Sequence, residues 1–398
     1  MPASAVPLSA VSSRSRAVPG EPDPSAGSDG SAGSAGFTAP SADPVAFVCR
    51  PSRTLHLAAA IDGREQDAAY YVELARLAER GALDFVTLGG CGGFAGSGGF
   101  GADPAPRDAA GGGAAGVGGE EAAPDALAVL ARVAPATDRI GLVPALTAGN
   151  GDPFTLALAV ATLDWVSHGR AGWTVAVPGE REAEGAAVRR RAAERRFAER
   201  AEARRRATEE AAEAVARCWE DRGAPTGRPV VVADATPDTA RAAAARRADV
   251  AFVRVTRPEQ AAAIRVELRR RAAEAGRDPE RLLVFADLRV DLGGGELGPE
   301  PGTEVAPVAD GTGAVRFNGG PVDLAELIAD WQRSGAVDGF HIRPVEPRRD
   351  LERFVNGTVA LLQHRGLFRS FHPGATLREH LGLHRPEQRL AVAGGPAS

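Results

Sequence analysis

Asp138 to Val177, DRIGLVPALTAGNGDPFTLALAVATLDWVSHGRAGWTVAV, changes character three times within forty residues. Ile140 to Leu146 is an apolar run of strand length, Thr147 to Asp152 is a polar turn, and Pro153 opens a segment carrying Phe154, Leu156, Leu158, Val160, Ala161 and Leu163. After Gly169-Arg170 a second apolar run follows, Ala171 to Val177. Proline at a first helical position and glycine past the end mark the middle segment as a helix between two strands. Two strands joined through a helix pair in parallel, and parallel strands are buried on both faces. Ligands of parallel sheets gather at the carboxyl ends of the strands, so the turn after Leu146 and the residues after Trp173 are the first candidates for a site.

The same alternation extends in both directions. Upstream lie a strand at Thr54 to Ile61, an amphipathic helix at Asp67 to Arg80 capped by Gly81, a strand at Asp84 to Leu88 and a short helix at Asp125 to Val133. Downstream, strands at Pro229 to Ala233, Asp249 to Val255, Arg281 to Leu288 and Gly339 to Ile342 each precede helical material. Eight such units in one chain predict an α/β fold, a (β/α)8 TIM-type barrel, with Val143, Val175, Val231 and Val253 on neighbouring parallel strands. A doubly wound open sheet is the alternative, but no GxGxxG joins a strand to a helix.

Around the barrel lie segments of other composition. Residues 1–50 are rich in Ser, Ala, Pro and Gly and read as a disordered tail, 51–386 as the barrel domain, and 387–398 as a C-terminal tail. A glycine-rich loop at about 89–120 has neither a following helix nor GK[ST], so it is no phosphate loop. Gly179 to Trp219 interleaves arginine with glutamate at helical spacing, the pattern of a solvated helix rather than a nucleic-acid arm.

Composition narrows the chemistry. All 47 basic residues are arginine, which excludes a Schiff-base or Walker lysine, and the net charge of −5 gives no overall nucleic-acid footprint. Cys49, Cys91 and Cys218 are scattered, so neither a disulfide framework nor a zinc site is expected. No apolar run has membrane-spanning length and the start has no signal-peptide h-region, which makes the cytoplasm the expected location. His56 in the first strand is a candidate catalytic residue if it points into the barrel mouth, with a buried structural role as the alternative; His341 on the last strand is weighed in the same way.

Several segments resemble one family, the bacterial luciferase-like monooxygenases, in the branch of nitrilotriacetate monooxygenase component A. They include HLAAAIDG (His56 to Gly63), DPFTLALAVATLDWVSHGRAGWTV (Asp152 to Val175), AEAGRDPERLLVFADL (Ala273 to Leu288) and GLFRSFHPGATLREHLGL (Gly366 to Leu383). The resemblance implies a flavin-dependent monooxygenase acting on a small-molecule substrate. It implies reduced FMN as cofactor, delivered by a separate flavin reductase; a deazaflavin coenzyme is a further option in the superfamily, and a homo-oligomer is open. Carried over position by position, it implies cofactor contacts at Thr147, Asn150, Trp173, Thr174 and Thr236, with packing as the second reading of Trp173. Thr174 stands where relatives have an asparagine, so one side-chain hydrogen bond replaces two. The family's Gly-Ala-Ser phosphate loop is here Asp234-Ala235-Thr236-Pro237-Asp238-Thr239, in which the aspartates repel phosphate and Pro237 removes a donor. These departures keep an alternative open, a barrel that has lost its flavin site and acts as a non-catalytic binding or partner subunit.

Overall fold

The computed structural model describes residues 54–63, 65, 67–89, 125–147, 153–176, 228–293, 306–310 and 314–383. Both tails, the glycine-rich loop beyond Gly89, Asn150 and the arginine-rich segment at 179–219 lie outside the described residues. The strands are β1 (His56–Ala60), β2 (Phe85–Leu88), β3 (Gly141–Thr147), β4 (Gly172–Ala176), β5 (Val230–Asp234), β6 (Val250–Val253), β7 (Leu283–Asp291), β8 (Val308–Ala309), β9 (Val315–Asn318) and β10 (Gly339–Pro344). β1 to β7 follow one another in parallel, and β10 closes the ring by pairing in parallel with both β7 and β1. The result is the expected eight-stranded parallel barrel, with Val143, Val175, Val231 and Val253 on adjacent strands.

Helices α1 (Ala68–Arg80), α2 (Ala126–Val133), α3 (Pro153–Val166), α4 (Asp238–Arg247), α5 (Pro258–Glu274) and α6 (Pro321–Arg333) cover the strands. Local chemistry starts them: the Asp67 carboxylate accepts from the Ala69 N–H at 2.9 Å, and Pro258 and Pro321 occupy first-turn positions where no N–H is needed. Side chains alternate across the barrel wall. Leu57, Val86, Val284, Leu288 and Phe340 pack outward beneath the helices, whereas Ala58, Phe85, Val143, Val232, Phe252 and Phe285 fill the interior. Phe85, Phe252 and Phe285 pack on one another with ring centroids 6.0 to 6.4 Å apart.

One device repeats at the amino ends of the strands. Asp84, Asp249 and Asp338 each precede a strand and accept from the first N–H groups of a neighbouring one: Leu57 at 2.8 Å, Val231 at 3.0 Å and Val284 at 3.0 Å. An arginine neutralises each buried carboxylate, with Arg369 on Asp84 at 3.0 Å, Arg378 on Asp249 at 3.4 Å and Arg265 on Asp338 at 2.6 Å. The C-terminal segment around α7 (Leu377–His380) supplies two of these arginines and inserts Leu377 and Leu381 into the interior cluster, closing the barrel floor.

The Gly/Pro-rich stretch between Leu288 and Val322 holds an element that periodicity does not reveal. β7 runs on to Asp291, β9 pairs with it in parallel at Arg289 to Asp291, and the two-residue β8 folds back on β9. Short strands flanked by glycine carry too few residues to show a period.

Candidate functional site at the carboxyl end of the barrel

Inward positions in β2 and in the middle of β7 and β10 are polar: Thr87, Asp287 and His341. His341 and Asp287 face each other in register on adjacent strands, and Nδ1 lies 2.8 Å from Oδ1. Across the interior, His341 Nε2 lies 2.9 Å from Thr87 Oγ1. The imidazole also stacks on Phe252, with centroids 4.3 Å apart and planes 11° apart, and its exposure is 0%. Burial by itself would raise the Asp287 carboxyl, but the His341 hydrogen bond and the guanidinium groups of Arg343 and Arg254 outweigh it and hold it below the usual carboxylate range. An ionised carboxylate only accepts, so Nδ1 carries the proton it donates to Asp287 and Nε2 accepts from the Thr87 hydroxyl. A base oriented by a carboxylate and linked to a hydroxyl is an arrangement that takes up and returns protons.

Above this layer, Arg254 Nη2 pairs with Asp234 Oδ2 at 2.7 Å, and Nη1 lies 3.6 Å from Asp287 Oδ2. The turn after β5 is closed on itself: Asp234 Oδ1 accepts from the Thr236 N–H at 2.9 Å, and the Thr236 hydroxyl accepts from the Arg254 N–H at 3.0 Å. Pro237 has no N–H to offer. This turn is a poor fit to the phosphate of a flavin nucleotide, because the Thr236 N–H is spent on Asp234, Pro237 offers no donor and two carboxylates flank the turn. The repulsion expected of Asp234 is met by its pairing with Arg254. Among the described residues no group of His, Cys, Asp and Glu side chains is placed to hold a metal ion.

The residues singled out from sequence are dispersed. Thr147 ends β3 opposite Ala176 of β4, at the carboxyl end; Thr174 is buried on the inward face between Ala145 and Val232; and Thr236 closes the β5 turn. Asn150 lies outside the described residues. Trp173 is 3% exposed and packs with Leu146, Ala157 and Val160 in the layer beneath α3, the packing position rather than the mouth. His56 departs from the mouth-facing expectation. It is the first residue of β1, at the amino end, where Nδ1 lies 3.0 Å from Asp84 Oδ1 and the ring stacks on Phe285. The Asp84 carboxyl is buried, which would raise it, yet His56 and Arg369 hold it below its ordinary value. No motif marks Thr87, Asp287 and Arg254 in the sequence. The available signal is a polar residue at an inward position near the end of an apolar strand, in DFVTL and VFADL.

A family model described as luciferase-like monooxygenase matches residues 52–293. The chain is 27% identical to N-acetyl-S-(2-succino)cysteine monooxygenase of Bacillus subtilis (strain 168), with 81% of this chain and 91% of that protein covered. It is also 27% identical to nitrilotriacetate monooxygenase component A of Aminobacter aminovorans, over 82% and 92%. Its fold superposes on that of EDTA monooxygenase from Chelativorans sp. BNC1 with a TM-score of 0.61 at 20% identity, covering 84% of this chain and 99% of the other. With the model spanning more than half of its length and the barrel closed as that family requires, the chain belongs to the luciferase-like monooxygenase family.

Proposed function

We propose that this chain is the oxygenase of a two-component system, taking reduced FMN from a separate flavin reductase and using dioxygen to oxygenate a small organic substrate. The observation that carries this reading is the buried Thr87–His341–Asp287 chain in the interior of a barrel of this family. The relative named as a component A supports the two-component part. Reduced flavin, when bound, supplies the activation of oxygen. The protein's part is to exclude water and to accept a proton at His341 Nε2, a role this reading moves from His56 at the barrel floor to His341.

The closed β5 turn sets the strength of binding. Absence of about three phosphate contacts at about 1.5 kcal/mol or more each weakens FMN more than a hundredfold, from about micromolar to about millimolar. The protein then purifies colourless and acts only with reduced flavin in excess. The same turn favours a second reading, a cofactor-free barrel serving as a partner subunit. Fluorescence titration with FMN and reduced FMN separates the two. Weak binding of reduced FMN supports the oxygenase; none at saturation supports the partner subunit, and tight stoichiometric binding sinks the weakened site. Under the oxygenase reading, His341→Gln lowers turnover about a hundredfold or more with reduced-flavin binding little changed. Unchanged turnover would remove His341 from the chemistry.

A further inference from the structure

The strand register places three arginines side by side on the rim. Arg343 of β10 is the Cα partner of Arg289 of β7, and Arg289 is in turn the partner of Arg316 of β9. All three lie on the inward side of the sheet, because the residues beside them, Ile342, Leu288, Val290 and Phe317, are buried in the outer core. Neighbouring strands are about 4.8 Å apart, so three guanidinium-bearing side chains leave adjacent points of one row. Like charges directly opposite one another destabilise a sheet.

Aspartates offset only part of this charge. Asp291 is shared between Arg316 at 2.8 Å and Arg349 at 2.7 Å, and Asp287 lies 3.8 Å from Arg343. Arg289, in the middle of the row, is exposed and has no hydrogen bond or ion pair among the described residues. Below it, the buried Oδ2 of Asp287 makes no hydrogen bond among the described residues and lies nearest Arg254 and Arg343, so that layer draws on one end of the row and leaves Arg289 to itself. A cation flanked on both sides by cations, at the end of the seventh and eighth barrel strands where such barrels commonly bind anions, is a site arranged for a ligand of opposite charge. The planar fork of arginine matches the paired oxygens of a carboxylate or phosphate.

We propose that the row Arg343, Arg289 and Arg316 binds an oxyanion group of the molecule that enters the barrel mouth, with Arg289 as its central contact. The chemistry is shared by two sources, the phosphate of a flavin nucleotide and a carboxylate of the substrate. This site is independent of the β5 turn and of any turnover.

The test is equilibrium binding to the full chain and to Arg289→Met, with FMN, riboflavin and citrate as probes, at low and high salt. Loss of tenfold or more in FMN affinity with riboflavin unchanged assigns the site to the flavin phosphate. Loss of tenfold or more for citrate with FMN unchanged assigns it to a substrate carboxylate, and loss for both assigns one shared site. In each case the wild-type affinity falls with added salt. Unliganded Arg289→Met keeps or raises its melting temperature, because the substitution removes a like charge and breaks no hydrogen bond or ion pair among the described residues. The proposal is overturned if the variant binds all probes as the wild type does, if the wild type binds neither FMN nor citrate, or if the variant melts lower, which would make Arg289 a structural residue. Failure of the oxygenase reading shows separately, as absence of turnover with reduced FMN.

Discussion

Replacing Arg170 by methionine tests how much of the barrel wall depends on one buried cation. Arg170 follows a left-handed pair, His168 at φ 57° and Gly169 at φ 86°, which ends α3 and turns the chain into β4. Its guanidinium is 3% exposed and donates five hydrogen bonds of 2.8 to 3.0 Å, to the carbonyls of Ser167, Ile140, Ala134 and Thr137 and to the Thr137 hydroxyl. The side chain thus joins the end of α3, the start of β3 and the turn after α2. Burial lowers its pKa, and Glu79 and Asp138 oppose that from a distance. At about 1.5 kcal/mol or more for each bond to a charged group, the five bonds exceed the several kcal/mol needed to desolvate the cation. Methionine fills much of the same volume but leaves the acceptors buried without donors, so the expected loss is about 3–5 kcal/mol. Lysine, with donors at a single point, reaches only some of these acceptors, and Arg170→Lys is expected to lose about 2–3 kcal/mol. Urea unfolding at neutral pH with unchanged m-values reads both losses. A loss below about 1 kcal/mol for Arg170→Met would show that the desolvation cost already cancels the network, and the reasoning would fail.

Two further expectations concern the barrel floor. Burial pushes the His380 pKa down to about 4, against the opposing hydrogen bond to the Gly374 carbonyl, and neighbouring His372 is lowered by burial as well. Because the folded pKa lies below the unfolded one, stability is complete above about pH 6.5 and falls by about 3 kcal/mol as the pH drops toward 4, where the folded ring also charges. His380→Gln keeps a donor for Gly374 and removes most of that slope; an unaltered pH–stability profile would refute the assignment. A methyl group on Gly141 would meet Leu377 Cδ1 at 2.6 Å, Phe85 Cβ at 2.8 Å and the Asp84 carbonyl at 2.9 Å. Gly141→Ala is accordingly expected to cost about 1–3 kcal/mol in thermal or urea unfolding, and a neutral substitution would show that the C-terminal segment is not seated against β3.

The barrel is legible in local patterns of the chain. Strand, helix and strand recur in chain order, and that order is local information: apolar runs such as Gly141–Thr147, the proline opening α3 and the glycine ending it each act within a few residues. Alternation along a strand also settles which side chains face inward, as in DFVTL, where Phe85 and Thr87 enter the interior and Val86 and Leu88 the helix layer. Height along the barrel axis and adjacency across it are non-local. His56 and His341 read alike in sequence, yet one begins its strand at the floor and the other stands in the middle layer of the interior opposite Ala58, joined to Asp287 54 residues away and to Thr87 254 away. The arginine row requires the register of β10 on β7 and of β7 on β9, a strand hidden in a Gly/Pro-rich stretch with too few residues to show a period. Local propensity specifies elements and faces, whereas only closure of the sheet, through the stagger of its hydrogen bonds, decides which distant residues share a layer.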